Sequence, residues 1–395
     1  MTAGAACPIC AGAGVQPLNS AGPRVLAGDF RQASGWIDNV QCEHCGFGWN
    51  RSMMGDGELA AFYSQYAKKV HSPDEDDLLF GPSAADTETL TTNQARFVAG
   101  YVQSRRGRVL DIGCGKGAFL QAFTALKPGW TPIGVEPSHE EAALARRHPA
   151  VEIHEGMFGD VAFAPRTFDL VTIMHVLEHV ARPDQLLRQV HATLKPGGLL
   201  FVEVPNVLDS NMFYDLLLVE HLYHFCPETL RRLLMREGFE VIGEQPSTTY
   251  GALRMVARAG AARRKAAPPV APVAGRHARW TKLWEAMGQL TETGAARAAA
   301  GRGVALFGAG MTAATWLTYT GLAEVPLAGC FDESPWKVGR KLLNRPVLSV
   351  DEIGRHDVDT LLIATIPGSQ RAVREKLAQW CPPGVEVLGL ESELG

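Results

Sequence analysis

The stretch RVLDIGCGKGAFLQAF, residues 108–123, constrains the fold more than any other part of the chain. An apolar run meets three closely spaced glycines and then an amphipathic stretch. That order predicts a strand, a sharp turn and a helix. Gly113, Gly115 and Gly117 let the backbone turn tightly and approach a ligand closely. Asp111 ends the first strand. Glu136 ends a second strand-like run, PIGVEP, 25 residues later, where a carboxylate can accept the hydroxyls of a nucleotide ribose. Further apolar runs, FDLVTIM and LLFVEVP, alternate with amphipathic stretches such as DQLLRQVHATL. This rhythm predicts an α/β fold with a parallel sheet covered by helices.

The chain of 395 residues has room for more than this one unit. Four segments follow from composition. Residues 1–80 carry CPIC and CEHC, followed by GFGW. Residues 81–258 hold the βαβ rhythm. Residues 259–300 begin as an Ala-, Pro- and Arg-rich connection and end in a predicted helix around WTKLWEAMGQLTETGAARAAA. Residues 301–395 repeat the strand, glycine turn and helix pattern in GVALFGAGMTAATWL, with Asp332 ending the next strand. A net charge of −4 argues against a general nucleic-acid binder. No apolar run is long enough for a membrane span, and the N-terminus lacks the blocks of a signal peptide. These features predict a soluble, cytoplasmic protein.

The two Cys-x-x-Cys pairs, Cys7 with Cys10 and Cys42 with Cys45, lie 31 residues apart. Each pair can place two thiolates on one metal from a tight knuckle. Two pairs complete a tetrahedral shell, which suits Zn2+. Four sulfurs leave no position for a reacting water, so the expected role is structural. His44, inside the second knuckle, is an alternative ligand. The other four cysteines are scattered in apolar surroundings, as core thiols are.

The stations after the glycine loop also fall in order. GMFGD follows a third strand, VLEHV follows the fourth, LKPGG precedes the fifth, and GFEVI with ALRMVARA can form a closing antiparallel pair. A nicotinamide-binding domain calls for G-x-G-x-x-G, whereas this loop reads G-C-G-K-G. Over about residues 95–258 the sequence resembles the class I S-adenosylmethionine (SAM) methyltransferases. That resemblance implies a Rossmann-like seven-stranded sheet with SAM at the carboxyl ends of its strands. It implies that Asp111 orients the loop and the methionine amine, and that Gly113 and Gly115 line the cofactor. Glu136 would hold the ribose, Met157 and Phe158 would flank the adenine, and His175 would lie near the methionine end.

The order of cysteine module, methyltransferase core and smaller Rossmann-like domain resembles the zinc-containing nucleotide-sugar C-methyltransferases of antibiotic deoxysugar pathways. Those enzymes add a methyl group to a ring carbon beside a ketone. The resemblance implies a monomer whose C-terminal domain walls the substrate cleft. The family carries a Tyr-His-Glu-His run after the fifth strand; here it reads Leu218, Val219, Glu220, His221. The resemblance implies that His221 is the base, and a neighbouring carboxylate such as Glu220 can orient it or share its proton. Tyr223 and His224 lie close enough in sequence to compensate for the lost tyrosine as proton carriers. The resemblance adds His179, in VLEHV, and Tyr66, with Tyr63 as the weaker match. A carbon acid beside a ketone needs such a base and stabilisation of the enolate, and histidine titrates near operating pH.

The loss of the family tyrosine at Leu218 keeps O- or N-methylation of another natural product or sugar open. Two further readings are a zinc-ribbon nucleic-acid modifier and a nicotinamide oxidoreductase using the C-terminal glycine turn. In a plainer reading, EHLYHFCPETL only leads into a helix, and Glu178 with His179 only cap or pack at a helix start.

Overall fold

The computed structural model describes residues 6–65, 78–79, 88–260 and 278–390. Tyr66 and residues 261–277 of the connection lie outside the described residues. The central sheet has seven strands in the order Glu152–Glu155, Trp130–Glu136, Gly107–Ile112, Phe168–Met174, Leu194–Pro205, Ala252–Ala259 and Phe239–Gln245. The first five run parallel, and Ala252–Ala259 is antiparallel to both of its neighbours. The strands are apolar on both faces because helices cover both. Val109, Leu110, Ile133, Leu170, Val171, Ile173, Leu200, Phe201 and Val202 are all fully buried. Polar side chains start the helices: Thr89 caps Leu90–Ala99 and Ser138 caps His139–Ala145.

One local expectation changes. The Lys195–Gly198 stretch does not separate helix from strand. It forms an irregularity within the strand Leu194–Pro205, where Phe168 pairs with Leu194 but Leu170 with Leu199.

The cysteine module reaches beyond residue 80. Its antiparallel sheet runs Val15–Ala21, Ile37–Cys42, Gly48–Asn50 and then Tyr223–His224, so the fourth strand comes from the central segment. Asn50 N–H also donates to the Leu222 carbonyl at 2.9 Å. A side chain at Gly48 would put its Cβ 3.1 Å from His224 Cβ, so glycine permits this close pairing. Phe47 packs on Tyr223 and Phe225 with ring centroids 5.6 and 5.4 Å apart. Each fully buried ring of this kind contributes about 1.5–3 kcal/mol.

The C-terminal sheet runs Lys341–Leu342, Arg345–Ser349, Leu327–Asp332, Val304–Phe307, Thr360–Ile363 and Glu386–Leu388. It is parallel apart from its first edge strand. The helix Ala278–Ala299 packs Leu283 and Met287 against Val304, Leu306 and Trp316. The same apolar cluster takes in Leu26, Phe213 and Leu218, and so joins all four segments.

One hydroxyl ties them as well. Tyr319 Oη donates to the Leu217 carbonyl at 2.7 Å and accepts from Leu26 N–H at 2.8 Å. Tyr319→Phe strands two partly buried backbone groups. Urea denaturation should show a loss of about 1–3 kcal/mol, and a change below the error of the fit would mean that solvent satisfies both groups.

Candidate active site

The strand order changes direction between Gly107–Ile112 and Phe168–Met174, and in open α/β sheets ligands bind at such a switch point. Two loops meet there. The first is the glycine loop, with Gly113, Gly115 and Gly117 all at positive φ. A Cβ on Gly113 would lie 2.4 Å from Val176 Cγ2, so the second loop, residues 175–179, is packed directly on the first. A Cβ on Gly115 would meet only Glu141 Oε2, at 3.7 Å, which leaves that side of the loop open.

The residues expected to hold the cofactor occupy this crevice in different ways. Glu136 is buried and accepts Gly115 N–H at 2.9 Å and Ser138 N–H at 2.8 Å, so it shapes the loop as well as facing it. Asp111 is buried and accepts Thr172 Oγ1–H at 2.7 Å. Burial is the main reason that its carboxyl is pushed up to about 7. Met157 is half-buried at the rim. Phe158 instead turns inward, buried and stacked 6.1 Å from Phe163, so its ring is engaged in the core.

His175 sits at the carboxyl end of Phe168–Met174 with φ +52°, a strained conformation for a residue with a side chain. A buried network holds it there. Its Nε2 lies 3.1 Å from Glu203 Oε1, which also accepts Gln94 Nε2–H at 2.6 Å. Arg254 pairs with the other Glu203 oxygen and donates to Asn93 and Tyr250 at 2.7 Å each. Burial opposes charge on Glu203, but His175 and Arg254 outweigh it and hold the carboxyl down to about 2. For His175, burial is outweighed by Glu178 and Glu203, which raise it to about 9.

The stretch LLLVEHLYHF wraps the other side of the crevice. Asp215, in the 3-10 turn Ser210–Leu217, is buried at 1% exposure and holds two histidines. Its Oδ1 lies 2.5 Å from His221 Nδ1 and its Oδ2 lies 2.7 Å from His224 Nδ1. His224 Nε2 then meets Asn39 Oδ1 at 3.0 Å. Both ring nitrogens of His224 are therefore spent, which corrects the expectation that it serves as a proton carrier. It anchors the strand to the cysteine module. Glu220 is also turned away: its Oε1 accepts Gly28 N–H at 2.6 Å, and burial raises its carboxyl. Leu218 lies in the apolar cluster between the segments.

Among the described residues, His221 Nε2 has no hydrogen-bond partner. Burial disfavours its charge, but the Asp215 carboxylate outweighs this and raises it to about 8. His179 faces it, with ring centroids 4.7 Å apart, and is lowered by burial to about 4. His179 Nδ1 lies 3.2 Å from the Glu220 carbonyl. Glu178 and His179 lie in a turn, not at a helix start, because the following helix begins at Pro183. The Glu178 carbonyl accepts Leu222 N–H at 2.8 Å and Tyr223 N–H at 3.2 Å, which locks the two loops together. Tyr63, the weaker match, packs edge-on against His179, with centroids 5.8 Å apart.

The four cysteine sulfurs also converge. Cys7 Sγ lies 3.5 Å from Cys45 Sγ, and Cys10 Sγ lies 3.5 Å from Cys42 Sγ. All four lie within 4.8 Å of one another. Sulfurs about 2.3 Å from one tetrahedral ion stand at comparable separations. Ile9 N–H and Gly12 N–H point at Cys7 and Cys10, each at 3.4 Å, as in a metal knuckle. His44 is exposed and outside the cluster.

Residues 87–244 match a family model described as a methyltransferase domain. The chain therefore carries a class I SAM-dependent methyltransferase domain. It is similar to the ubiquinone biosynthesis O-methyltransferase of Neisseria meningitidis serogroup C, with 28% identity over 139 residues, 33% of this chain and 58% of that protein. The protein of the same name from Xanthomonas campestris is 37% identical over 116 residues, 28% of this chain and 48% of its own length. The chain thus spans about half the length of the curated relatives it matches. A solved SAM-dependent methyltransferase from Mesorhizobium loti is 19% identical, covering 42% of this chain and 97% of its own, with a TM-score of 0.37. Among the described residues, no helix is long and apolar enough to cross a membrane.

Arg254→Met removes one of the two cations that hold the Glu203 carboxylate in the core and leaves its Oε2 without a partner. Equilibrium denaturation should register a loss of about 3–5 kcal/mol, and the double change with Glu203→Leu should restore much of it. An equal loss in both variants would show that the pair is not what sustains this region.

Proposed function

We propose that the protein is a SAM-dependent methyltransferase of a small metabolite and that its acceptor lies against Glu178, His179 and His221. The observation that carries this is the packing of the 175–179 turn on the glycine loop, with Gly113 and Val176 in contact. It puts the histidine cluster beside the expected cofactor crevice. Gly113, Gly115, Glu136 and Met157 would hold SAM, which supplies an electrophilic methyl group when bound. His221, oriented through Nδ1 by Asp215, offers Nε2 to the acceptor's proton. His179 and Tyr63 form the wall beside it.

The favoured acceptor is the carbon next to the ketone of a nucleotide-linked sugar. The order of the three segments and the retained Glu220–His221 pair support it. The second reading is O-methylation. It is supported by the relatives named as O-methyltransferases and by the apolar surroundings of Leu218, where a phenol would have no part in the site. In both readings the cysteine cluster holds a structural zinc that fixes the strand next to His221.

Proton exchange separates these readings. In deuterated buffer with S-adenosylhomocysteine, a nucleotide-linked keto-sugar should exchange its α-proton. His221→Ala should slow that exchange by about 10²–10⁴-fold while leaving S-adenosylhomocysteine affinity within about twofold. Methylation of an oxygen without exchange would discard the carbon-methylation reading. Metal analysis should find one zinc per chain, lost in Cys42→Ser/Cys45→Ser. That variant should retain S-adenosylhomocysteine binding but turn over poorly. Full zinc content in the variant would remove the cysteines from the metal site.

A further inference from the structure

We infer that Glu178, His179 and His221 form a second metal site, one that takes a divalent first-row cation in the crevice itself. The inference rests on the methyl-transfer reading and says how the acceptor is held there. The three ligand atoms lie within 4.8 Å of one another. Glu178 is 1% exposed, yet among the described residues neither of its buried carboxylate oxygens has a hydrogen-bond partner. His175 Nδ1 and His179 Nε2 each stand 3.6 Å from its Oε1, too far for a hydrogen bond. Two ligand atoms bound tetrahedrally at about 2.1 Å from one ion stand about 3.4 Å apart. The observed spacing therefore suits an ion between the groups better than direct contact.

The surroundings fit the same reading. A metal-bound histidine almost always gives its other nitrogen to a carboxylate or a backbone carbonyl, which fixes the ring and its tautomer. Here Asp215 takes His221 Nδ1 and the Glu220 carbonyl faces His179 Nδ1. Among the described residues, the Nε2 atoms of both rings are left for a ligand. Two imidazoles and a carboxylate suit Mn2+, Fe2+ or Zn2+ and leave open positions on the ion.

With the cation bound, His221 would act on the acceptor through the metal instead of taking its proton directly, so His221→Ala slows proton exchange in either state. The ion would supply Lewis-acid stabilisation to an acceptor oxygen at its open positions, so that this oxygen could give up its proton to solvent water near neutral pH. The acceptor class is therefore one that gives the metal an oxygen next to the atom that is methylated. An α-oxygenated ketone or a vicinal diol meets that requirement. Asp215 is a positioning residue for this site.

The test is a titration of the full chain, with its cysteine cluster metallated, with Mn2+ followed by electron paramagnetic resonance. One Mn2+ should bind to the wild type. Glu178→Gln should weaken it at least tenfold, and Asp215→Asn should weaken it by about 10–100-fold. The exposed control Glu155→Gln should leave it unchanged. Melting curves and S-adenosylhomocysteine binding are recorded for every variant. No Mn2+ uptake up to millimolar concentration, or uptake unaffected by Glu178→Gln, overturns the site. If S-adenosylhomocysteine binds and the chain with only its cysteine cluster metallated takes up no Mn2+, the site falls but the methyl-transfer reading stands. If S-adenosylhomocysteine fails to bind the wild type, that reading falls whatever Mn2+ does.

Discussion

Everything around the crevice depends on one buried carboxylate. Asp215 sits where a charge is expensive, and two imidazoles hold its carboxyl well below the usual range against the cost of burial. One of them, His224, passes the tie to Asn39 in the cysteine module. The other, His221, is left with a single usable nitrogen. The same carboxylate therefore joins two segments of the chain and sets the orientation of the proposed catalytic ring. A change in the cysteine module reaches His221 through Asn39, His224 and Asp215, with no direct contact needed.

A second buried charge does similar work on the opposite wall. Glu203 and Arg254 face each other across adjacent strands, and His175 leans on the pair. Between these two anchors lies Glu178, whose carboxylate is as deeply buried but has no hydrogen-bond partner among the described residues. Two satisfied charges flanking an unsatisfied one are what a ligand site requires: fixed walls and one group left for the ligand. The C-terminal domain, by contrast, uses its own acidic residue internally. Asp332 accepts Ala309 N–H at 2.7 Å and Ser334 N–H at 2.8 Å, which braces its glycine turn. The domain meets the rest of the chain through Tyr319 and the apolar cluster around Leu218.

Much of the fold was legible because it is written in short-range signals. Glycine spacing, β-branched runs and the Glu136 position mark strands and turns within a few residues of one another. The closing strands Phe239–Gln245 and Ala252–Ala259 were readable for the same reason. The site was legible only in part. His221, His179 and His175 stand out as polar groups beside apolar strands. Asp215 does not, because NMFYDLLL reads as an amphipathic helix face and its two partners lie 6 and 9 residues away across a turn. Asn39, Gln94 and Arg254 join the site from far along the chain, and no local pattern marks them. Glu178 and His179 looked like capping residues because the helix start at Pro183 is so near. Tyr63 lies three residues from Tyr66, and the sequence alone does not show that it packs on His179.

The most direct measurement is a crystal structure of the full chain with S-adenosylhomocysteine. The account predicts the homocysteine sulfur in the opening between Gly115 and His175, facing the Glu178, His179 and His221 side chains. A sulfur on the far side of the 175–179 turn, with those three side chains walled off from it, would contradict the account. The histidine cluster would then be an internal brace and the acceptor would have to be sought elsewhere.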